Sequence, residues 1–325
     1  SFLERFLSER TMIVTGLLVM SLCAFVPLFN QSYGVVFLSR LIFGLGTGMI
    51  NAKAISIISE RYHGKARVQL LGYRGSAEVV GTALLTLIVG QLLRFGWTVT
   101  FLAYSFCFLV LGLFLFFVPY EKGEDYHDEQ GKKEKMTSHQ LRLTLLSALV
   151  SGVIVLCNTT INLRVPSLVV YHQIGTPEVA SLVLSAMQLI GIVAGISFAT
   201  MVGIFKGRLL TIVGICFGLG LILIGLSQNI WFLGLSALFA GFTYSTSLTT
   251  VFHVLSEKIP LHQVNQAVSI TVLGCSGGAS ITTFVLSFIG GLSSDPIFIF
   301  SVLGIMMMGM AIISHFITKE EHASR

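Results

Sequence analysis

The chain has 325 residues, of which 54% are hydrophobic and only 11% carry a charged side chain. Soluble domains carry about 25% charged residues, so this chain has too little charge to solvate a surface of its size. The composition therefore excludes a water-soluble enzyme, a nucleic-acid-binding protein and a disordered protein. It indicates an all-α polytopic membrane protein, and we expect no catalytic residues.

Ten apolar segments follow one another along the chain, each close to the length of about 20 residues that a membrane-spanning helix needs. They are predicted at about residues 11–29, 33–58, 68–92, 97–118, 142–168, 177–202, 208–227, 230–256, 264–291 and 296–317. A polar stretch after the fourth segment has a composition that cannot form a core of its own. We expect an N-terminal bundle at 1–118, a cytosolic linker at 119–140, a C-terminal six-helix bundle at 141–318 and a cytosolic tail at 319–325.

Lysine and arginine collect in the loops on one side of the predicted membrane, whereas Arg94 and Arg164 lie on the other side. Arg40, Lys53 and Arg74 fall within the segments. By the positive-inside rule, this asymmetry predicts a multi-pass protein with both chain ends in the cytosol. We expect the membrane to be the cell membrane, inner or plasma. The net charge of +5 is therefore an orientation signal rather than a nucleic-acid-binding surface.

The five cysteines lie singly inside apolar segments, without a Cys-x-x-Cys pair and without clustering with histidine. Cysteines in this setting behave as small apolar residues. The pattern predicts neither a disulfide framework nor a metal site, and we expect no cofactor.

The two halves of the chain resemble each other at an offset of about 197 residues. Ser59-Glu60-Arg61 then corresponds to Ser256-Glu257-Lys258, and Gly44 corresponds to Gly241. Parallel repeats of this kind are typical of transporters built from two similar bundles. Because the second half has six segments and the first has four, we expect two further spanning segments to precede the first half.

Gly44 and Gly48, followed by Ala52 and Ser56, recur every four residues along one helical face. Small residues at this spacing allow a second membrane helix to approach closely. We therefore expect this ridge to be a packing surface.

The pattern Arg-x-x-x-Gly-x-Gly-x-Gly spans Arg40 to Gly48, in a chain of two similar halves joined by a charged loop. In this it resembles the major facilitator superfamily, although Phe43 replaces the family's frequent glutamine. The resemblance covers the whole chain and implies a two-bundle fold in which the ten segments are helices 3–12 of twelve. The family's proton-coupled exporters use the arginine of this pattern in proton transfer, which implies such a role for Arg40.

The opening of the chain resembles the end of the family's signature loop between helices 2 and 3. Glu4 takes the place of the usual aspartate, Arg5 takes that of its basic neighbour, and Arg10 follows. A degenerate copy is present in the second half at Lys206 and Arg208. The resemblance implies that these residues latch the cytosolic side and release it when the two halves rock.

The drug:proton antiporter branch of the family is matched in part. Its helix 5 pattern, Gly-x-x-x-Gly-Pro-x-x-Gly-Gly, keeps Gly81 and Gly90, but Leu85, Thr86 and Val89 occupy the inner positions. We expect proton-coupled efflux of small amphipathic molecules by alternating access. The alternatives are a proton-linked importer of a sugar or another metabolite and, in another class, a non-transporting remnant or sensor.

Glu78 is the only acidic residue deep inside a predicted segment, where an unpaired ionised carboxylate is costly. Arg74 lies four residues earlier, on the same helical face. These two residues, together with Arg40, are the candidate proton-coupling site. A fixed structural ion pair is the alternative interpretation of Arg74 and Glu78.

Several polar side chains of the second half fall within predicted spans, where they suit a pocket at the midplane between the halves. The candidate substrate-binding residues are Asn158, Asn162, Gln188, Tyr244, Thr246 and His253. Alternatively, the hydroxyls bond their own helix backbone and His253 bonds Glu257. We expect a small-molecule substrate, protons and the lipid bilayer as partners, no nucleic acid, and a monomer.

Overall fold

The computed structural model describes residues 9–61, 64–118, 136–293 and 295–323. These residues form helices and their connections, without a strand in the described ranges. The helices are α1 (Glu9–Cys23), α2 (Val26–Phe29), α3 (Tyr33–Arg61), α4 (Gly64–Leu92), α5 (Phe106–Phe117), α6 (Ser138–Tyr171), α7 (Pro177–Phe205), α8 (Leu209–Gly225), α9 (Ile230–Lys258), α10 (Leu261–Leu292) and α11 (Pro296–Ala323). A 3₁₀ helix, Val99–Ser105, leads directly into α5. The all-α membrane fold is confirmed.

Eight stretches of the described residues are long and apolar enough to cross a membrane, against the ten that we expected. Part of the difference arises because one stretch, Pro177–Gly225, contains both α7 and α8. The long helix α9 is not among the eight, because the hydroxyl residues between Thr243 and Thr250 lower its hydropathy.

Local sequence signals explain where several of these helices begin. The amide of Thr137 donates to Gln140 Oε1 over 2.9 Å, a capping box that starts α6 at Ser138, inside the expected linker. Asn229 Oδ1 accepts a hydrogen bond from the Trp231 amide and starts α9. The rest of the expected linker lies almost wholly outside the described residues.

The chain divides into two compact units, Ser1–Lys133 and Glu134–Arg325. In the second unit, the most extensive helix contacts join α6 to α10, α8 to α11, and α9 to both α7 and α8. Its core is apolar, and its largest fully buried side chains include Phe217, Phe300 and Leu233. This unit therefore packs all six of its helices around one interior.

Close backbone approach at glycine holds the helix pairs of the second unit together. A Cβ atom on Gly278 of α10 would collide with the Gly152 carbonyl oxygen of α6. Gly218 of α8 and Gly304 of α11 face each other, with 2.6 Å between a Cβ on Gly218 and the Gly304 oxygen. Membrane helices lack a hydrophobic driving force between them, so such close dispersion contacts are a main source of cohesion.

In the first unit, α1 packs mainly against α3 and against α5. The α1–α3 contact is centred on Gly16 and Gly46, where a Cβ on Gly46 would lie 3.0 Å from the Gly16 oxygen. We expected a packing ridge at Gly44 and Gly48, and this prediction is wrong for the described residues. No described atom of another helix lies within 4 Å of a Cβ at either glycine. Gly46 is two residues from each of them and therefore lies on the opposite face of α3. The side chains of Ala52 and Ser56 are outside the description.

Candidate functional site

The predicted proton-coupling pair lies in the middle of α4. Glu78 is halfway along this 29-residue helix, about 21 Å from each end. Its Oε2 atom is 3.5 Å from Arg74 Nη1, and the two side chains are 64% and 28% exposed. Arg74 and Glu78 are therefore brought together as an ion pair one helical turn apart.

Asn51 of α3 completes this group, and the sequence alone did not reveal it. Arg74 Nη2 donates a hydrogen bond of 3.2 Å to Asn51 Oδ1, so the guanidinium contacts a carboxylate and an amide at once. An amide inside an apolar segment was the available signal. The three residues form what we call the α3–α4 polar cluster: Asn51, Arg74 and Glu78. Within the described ranges, Glu78 Oε1 has no hydrogen-bond partner.

Arg40 lies in a different environment, among aromatic rings. Its guanidinium carbon is 4.6 Å from the ring centre of Phe101, 5.0 Å from that of Phe43 and 5.3 Å from that of Tyr104. Its Nη2 atom donates to the Cys23 carbonyl oxygen over 2.9 Å. No carboxylate contacts Arg40 in the part of the chain that the structure describes, so this residue joins α3, the end of α1 and the 3₁₀ helix.

Replacing Arg40 with alanine is expected to destabilise the protein by about 2 kcal/mol, because a desolvated cation–π contact alone contributes that amount. Arg40→Lys keeps the charge but loses the planar stacking surface, so its melting temperature should fall between those of Arg40→Ala and the wild type. Thermal unfolding of the purified variants in detergent measures the effect. An Arg40→Ala protein that melts with the wild type would contradict this packing role.

Two asparagines of α6 form one continuous polar strip. Asn162 Nδ2 donates to the Asn158 backbone oxygen over 3.0 Å. The Oδ1 atom of Asn158 is buried and receives no hydrogen bond from any described residue. Because buried polar atoms in proteins are nearly always paired, Asn158 Oδ1 is a candidate partner for a water molecule or a ligand, which would reach this buried atom by a rearrangement of its neighbours.

The candidates on α7 and α9 flank a close helix crossing. Gly241 of α9 packs directly on the Met187 backbone oxygen of α7, and Ser245 Oγ lies 2.7 Å from the Cβ position of Gly191. Gln188 and Tyr244 are next to these contact residues in sequence and are partly exposed. The Tyr244 ring also packs against Phe217 of α8, with 5.8 Å between ring centres.

Thr246 and His253 have partners within the protein. Thr246 is 1% exposed and donates its hydroxyl to the Phe242 oxygen of its own helix over 2.8 Å. His253 Nε2 is 3.6 Å from Glu257 Oε1, and its ring meets Phe198 of α7 edge-on. The structure therefore places Thr246 away from any accessible surface, where it cannot contact a ligand without a rearrangement.

The predicted gating residues are described only in part, because Glu4 and Arg5 lie outside the described residues. Arg10 Nη1 donates to the Val118 oxygen over 3.0 Å and so links the start of α1 to the end of α5. Lys206 and Arg208 form an exposed 3₁₀ turn between α7 and α8. Lys206 adopts a positive φ of 47°, which makes this turn sharp.

Comparisons with known proteins agree with the helical architecture. A bacterial homologue of the human lysosomal transporter Spinster, in an inward-facing and occupied conformation, matches with a TM-score of 0.73 and 13% identity, over 95% of this chain and 82% of that one. A peptide transporter, POT, solved as a glutamate-to-glutamine mutant, matches with a TM-score of 0.74 and 15% identity, over 97% and 80%. No curated protein sequence matches the chain.

At these identities, the solved structures demonstrate a shared fold and nothing finer. The family model described as Major Facilitator Superfamily matches residues 1–283, which is most of the chain. The family match indicates a multi-pass membrane transporter rather than an enzyme. The chain belongs to the Major Facilitator Superfamily.

Proposed function

We propose that this protein is a secondary active transporter of the cell membrane that couples proton movement to the export of small amphipathic molecules. The observation that carries the proposal is the α3–α4 polar cluster, in which a carboxylate lies in the middle of the long helix α4 with a single ionic contact among the described residues. A charge in this position is costly unless it is paired or hydrated, and such residues mark ion pathways in membrane proteins.

Glu78 is the residue that takes up and releases the proton in this proposal. Arg74 stabilises the ionised carboxylate over 3.5 Å, and Asn51 Oδ1 retains a hydrogen bond to the guanidinium when Glu78 is protonated. The Arg74 guanidinium therefore has a hydrogen-bond partner whether Glu78 is ionised or protonated. This lowers the free-energy cost of neutralising Glu78. Arg40, which contacts aromatic rings and a carbonyl oxygen, has a positioning role instead of a relay role.

The substrate-binding surface that we propose is on α6, α7 and α9. Asn158 contributes a buried amide oxygen without a described partner, and Asn162 extends the strip. Gln188 and Tyr244 supply an amide and a phenol beside the α7–α9 crossing. His253 borders this group, while the buried Thr246 is left out of it. Polar groups this sparse among apolar walls suit an amphipathic molecule.

The proposed gate consists of charged residues in the cytosolic loops. Arg10, at the start of α1, and Lys206 and Arg208, in the turn between α7 and α8, belong to loops that the positive-inside rule assigns to the cytosol. Glu4 and Arg5 belong to the same proposed loop. Alternating access opens and closes this side, with both chain ends cytosolic and the protein acting as a monomer.

Replacing Asn158 with alanine is expected to weaken transport without unfolding the protein, because its Oδ1 atom has no described partner to lose. The KM for ethidium, an amphipathic cation used as the probe, should rise about tenfold, as for the loss of one hydrogen bond to a charged group. The melting temperature should stay near that of the wild type.

Asn229→Ala is the matched control for this experiment. It removes the side chain that caps α9 and should cost about 1 kcal/mol of stability while leaving the KM unchanged. If Asn158→Ala lowers the melting temperature and leaves the KM as it was, Asn158 is a packing residue.

Dye efflux from energised cells tests the direction of transport. Cells that express the protein should expel ethidium faster than cells that carry an empty vector, and an uncoupler should remove the difference. Accumulation of a labelled sugar down the proton gradient, without dye efflux, would instead support an importer. Absence of both would support a non-transporting role.

A further inference from the structure

A cavity of about 100 Å³ lies in the second unit, between the end of α6 and the start of α11. Arg164, Ser167 and Tyr171 of α6 contribute its polar groups. The rest of its lining is apolar: Leu168, Pro296, Ile299 and Phe300. A positive charge, two hydroxyls and a hydrophobic wall therefore meet in one place.

Arg164 has no hydrogen bond or ion pair with any residue that the structure describes. Its Nη2 atom is 3.8 Å from the position that a Cβ on Gly290 would occupy, so the guanidinium lies over bare backbone of α10. Arg164 is two residues from Asn162 and therefore points to the opposite face of α6 from the proposed substrate strip. An unpaired guanidinium beside apolar residues is costly, and a bound anion would offset that cost.

The length of α6 predicts that the cavity lies at the depth of lipid headgroups. The 34 residues of α6 extend over about 51 Å, whereas the hydrocarbon core is about 30 Å thick. Arg164 is two turns from the end of this helix, about 10 Å along its axis. Tyr171, at the helix end, is 63% exposed, as expected for an aromatic residue at the membrane–water interface.

The acidic residue next to the cavity lining in the sequence, Asp295, already accepts a hydrogen bond. Asp295 precedes Pro296, and its Oδ1 atom accepts a hydrogen bond of 3.0 Å from the Ile297 amide. It therefore caps α11, and no ion pair joins it to Arg164 in the described part of the chain. The positive charge of Arg164 remains available to an external anion.

We infer that this cavity binds the phosphate group of an anionic membrane phospholipid. The Arg164 guanidinium donates to two phosphate oxygens, and the Ser167 and Tyr171 hydroxyls donate to the same group. Leu168, Ile299 and Phe300 contact the first carbons of the acyl chains. The site is independent of the proposed proton coupling, because it shares no residue with the α3–α4 polar cluster.

The test uses the purified full chain, titrated with phosphatidylglycerol or phosphatidylcholine in mixed micelles, with bound lipid counted by native mass spectrometry. We expect preferential retention of phosphatidylglycerol by the wild type. Arg164→Gln should weaken this binding by about tenfold or more, since it removes a charge-assisted hydrogen-bonding group. Arg142→Gln, an exposed arginine in the first turns of α6, should bind as the wild type does.

Two milder variants keep the test decisive if Arg164→Gln does not fold. Arg164→Lys keeps the charge but loses the bidentate geometry, and Ser167→Ala removes one hydroxyl, so each should weaken binding by a few-fold. Equal retention of both lipids, or unchanged retention in these variants, would overturn the proposal. Binding of millimolar inorganic phosphate that weakens with Arg164→Gln, without preferential retention of phosphatidylglycerol, would assign the site to a free anion and would overturn it as a lipid site.

Discussion

Replacing Glu78 with glutamine is expected to abolish proton-driven transport while leaving the protein folded. Glutamine has the same shape as glutamate but takes up no proton, so pH-gradient-dependent ethidium transport should fall by about tenfold or more. Glutamine keeps an oxygen that can accept a hydrogen bond from Arg74, the one described ionic partner of Glu78, so the melting temperature should stay near that of the wild type. Transport in proteoliposomes with an imposed pH gradient measures the first effect, and thermal unfolding measures the second.

Glu178→Gln is the control for this experiment. Glu178 is a carboxylate in the first turn of α7, outside every group that we assign to coupling or binding. Its replacement should leave transport unchanged. If Glu78→Gln transports at the wild-type rate, with the same dependence on the pH gradient, Arg74 and Glu78 are a structural ion pair.

Among glycine-to-alanine substitutions in the second unit, Gly278→Ala is expected to cause the largest loss of stability. The new Cβ atom would meet the carbonyl oxygen, carbonyl carbon and Cα atom of Gly152, which belong to the backbone and cannot rotate away. The α6–α10 pair would have to separate, at a cost of about 3 kcal/mol, the upper end of ordinary overpacking. Thermal unfolding in detergent should show a clear fall in melting temperature.

The neighbouring residue, Gly277, provides the control, because its replacement by alanine is expected to keep or raise the melting temperature. A Cβ at Gly277 has no described atom within 4 Å, so Gly277→Ala adds a methyl group without a collision. Because alanine favours the helix over glycine by about 1 kcal/mol, Gly277→Ala should melt at or above the wild-type temperature. If both variants melt alike, the α6–α10 approach is not as close as described.

Helix positions could be predicted from sequence because the bilayer imposes a length on each apolar run. The segment expected at 230–256, for example, corresponds to Ile230–Lys258, and its start is marked by the cap at Asn229. The i,i+4 contact of Arg74 with Glu78 followed from helical geometry alone. Such features depend on neighbours along the chain, so a single sequence contains them.

Contacts between helices were harder to predict. The glycine pattern of α3 places small residues on two opposite faces, and only the partner helix decides that Gly46, not Gly44, is the close contact. Asn51 lies 23 residues from Arg74, so its role depends on how α3 meets α4. Thr246 and Asn158 looked equally polar, but a threonine hydroxyl can bond its own helix backbone, whereas Asn158 Oδ1 is left without a described partner.

Proton flux through the purified protein tests the central claim most directly. Liposomes that contain the protein and the pH-sensitive dye pyranine would be given an ethidium gradient across the membrane. The account predicts that ethidium movement drives an opposite proton flux in wild-type liposomes and that this flux is absent with Glu78→Gln. Ethidium movement without any change in internal pH, or the same proton flux in both proteins, would contradict proton-coupled export through Glu78.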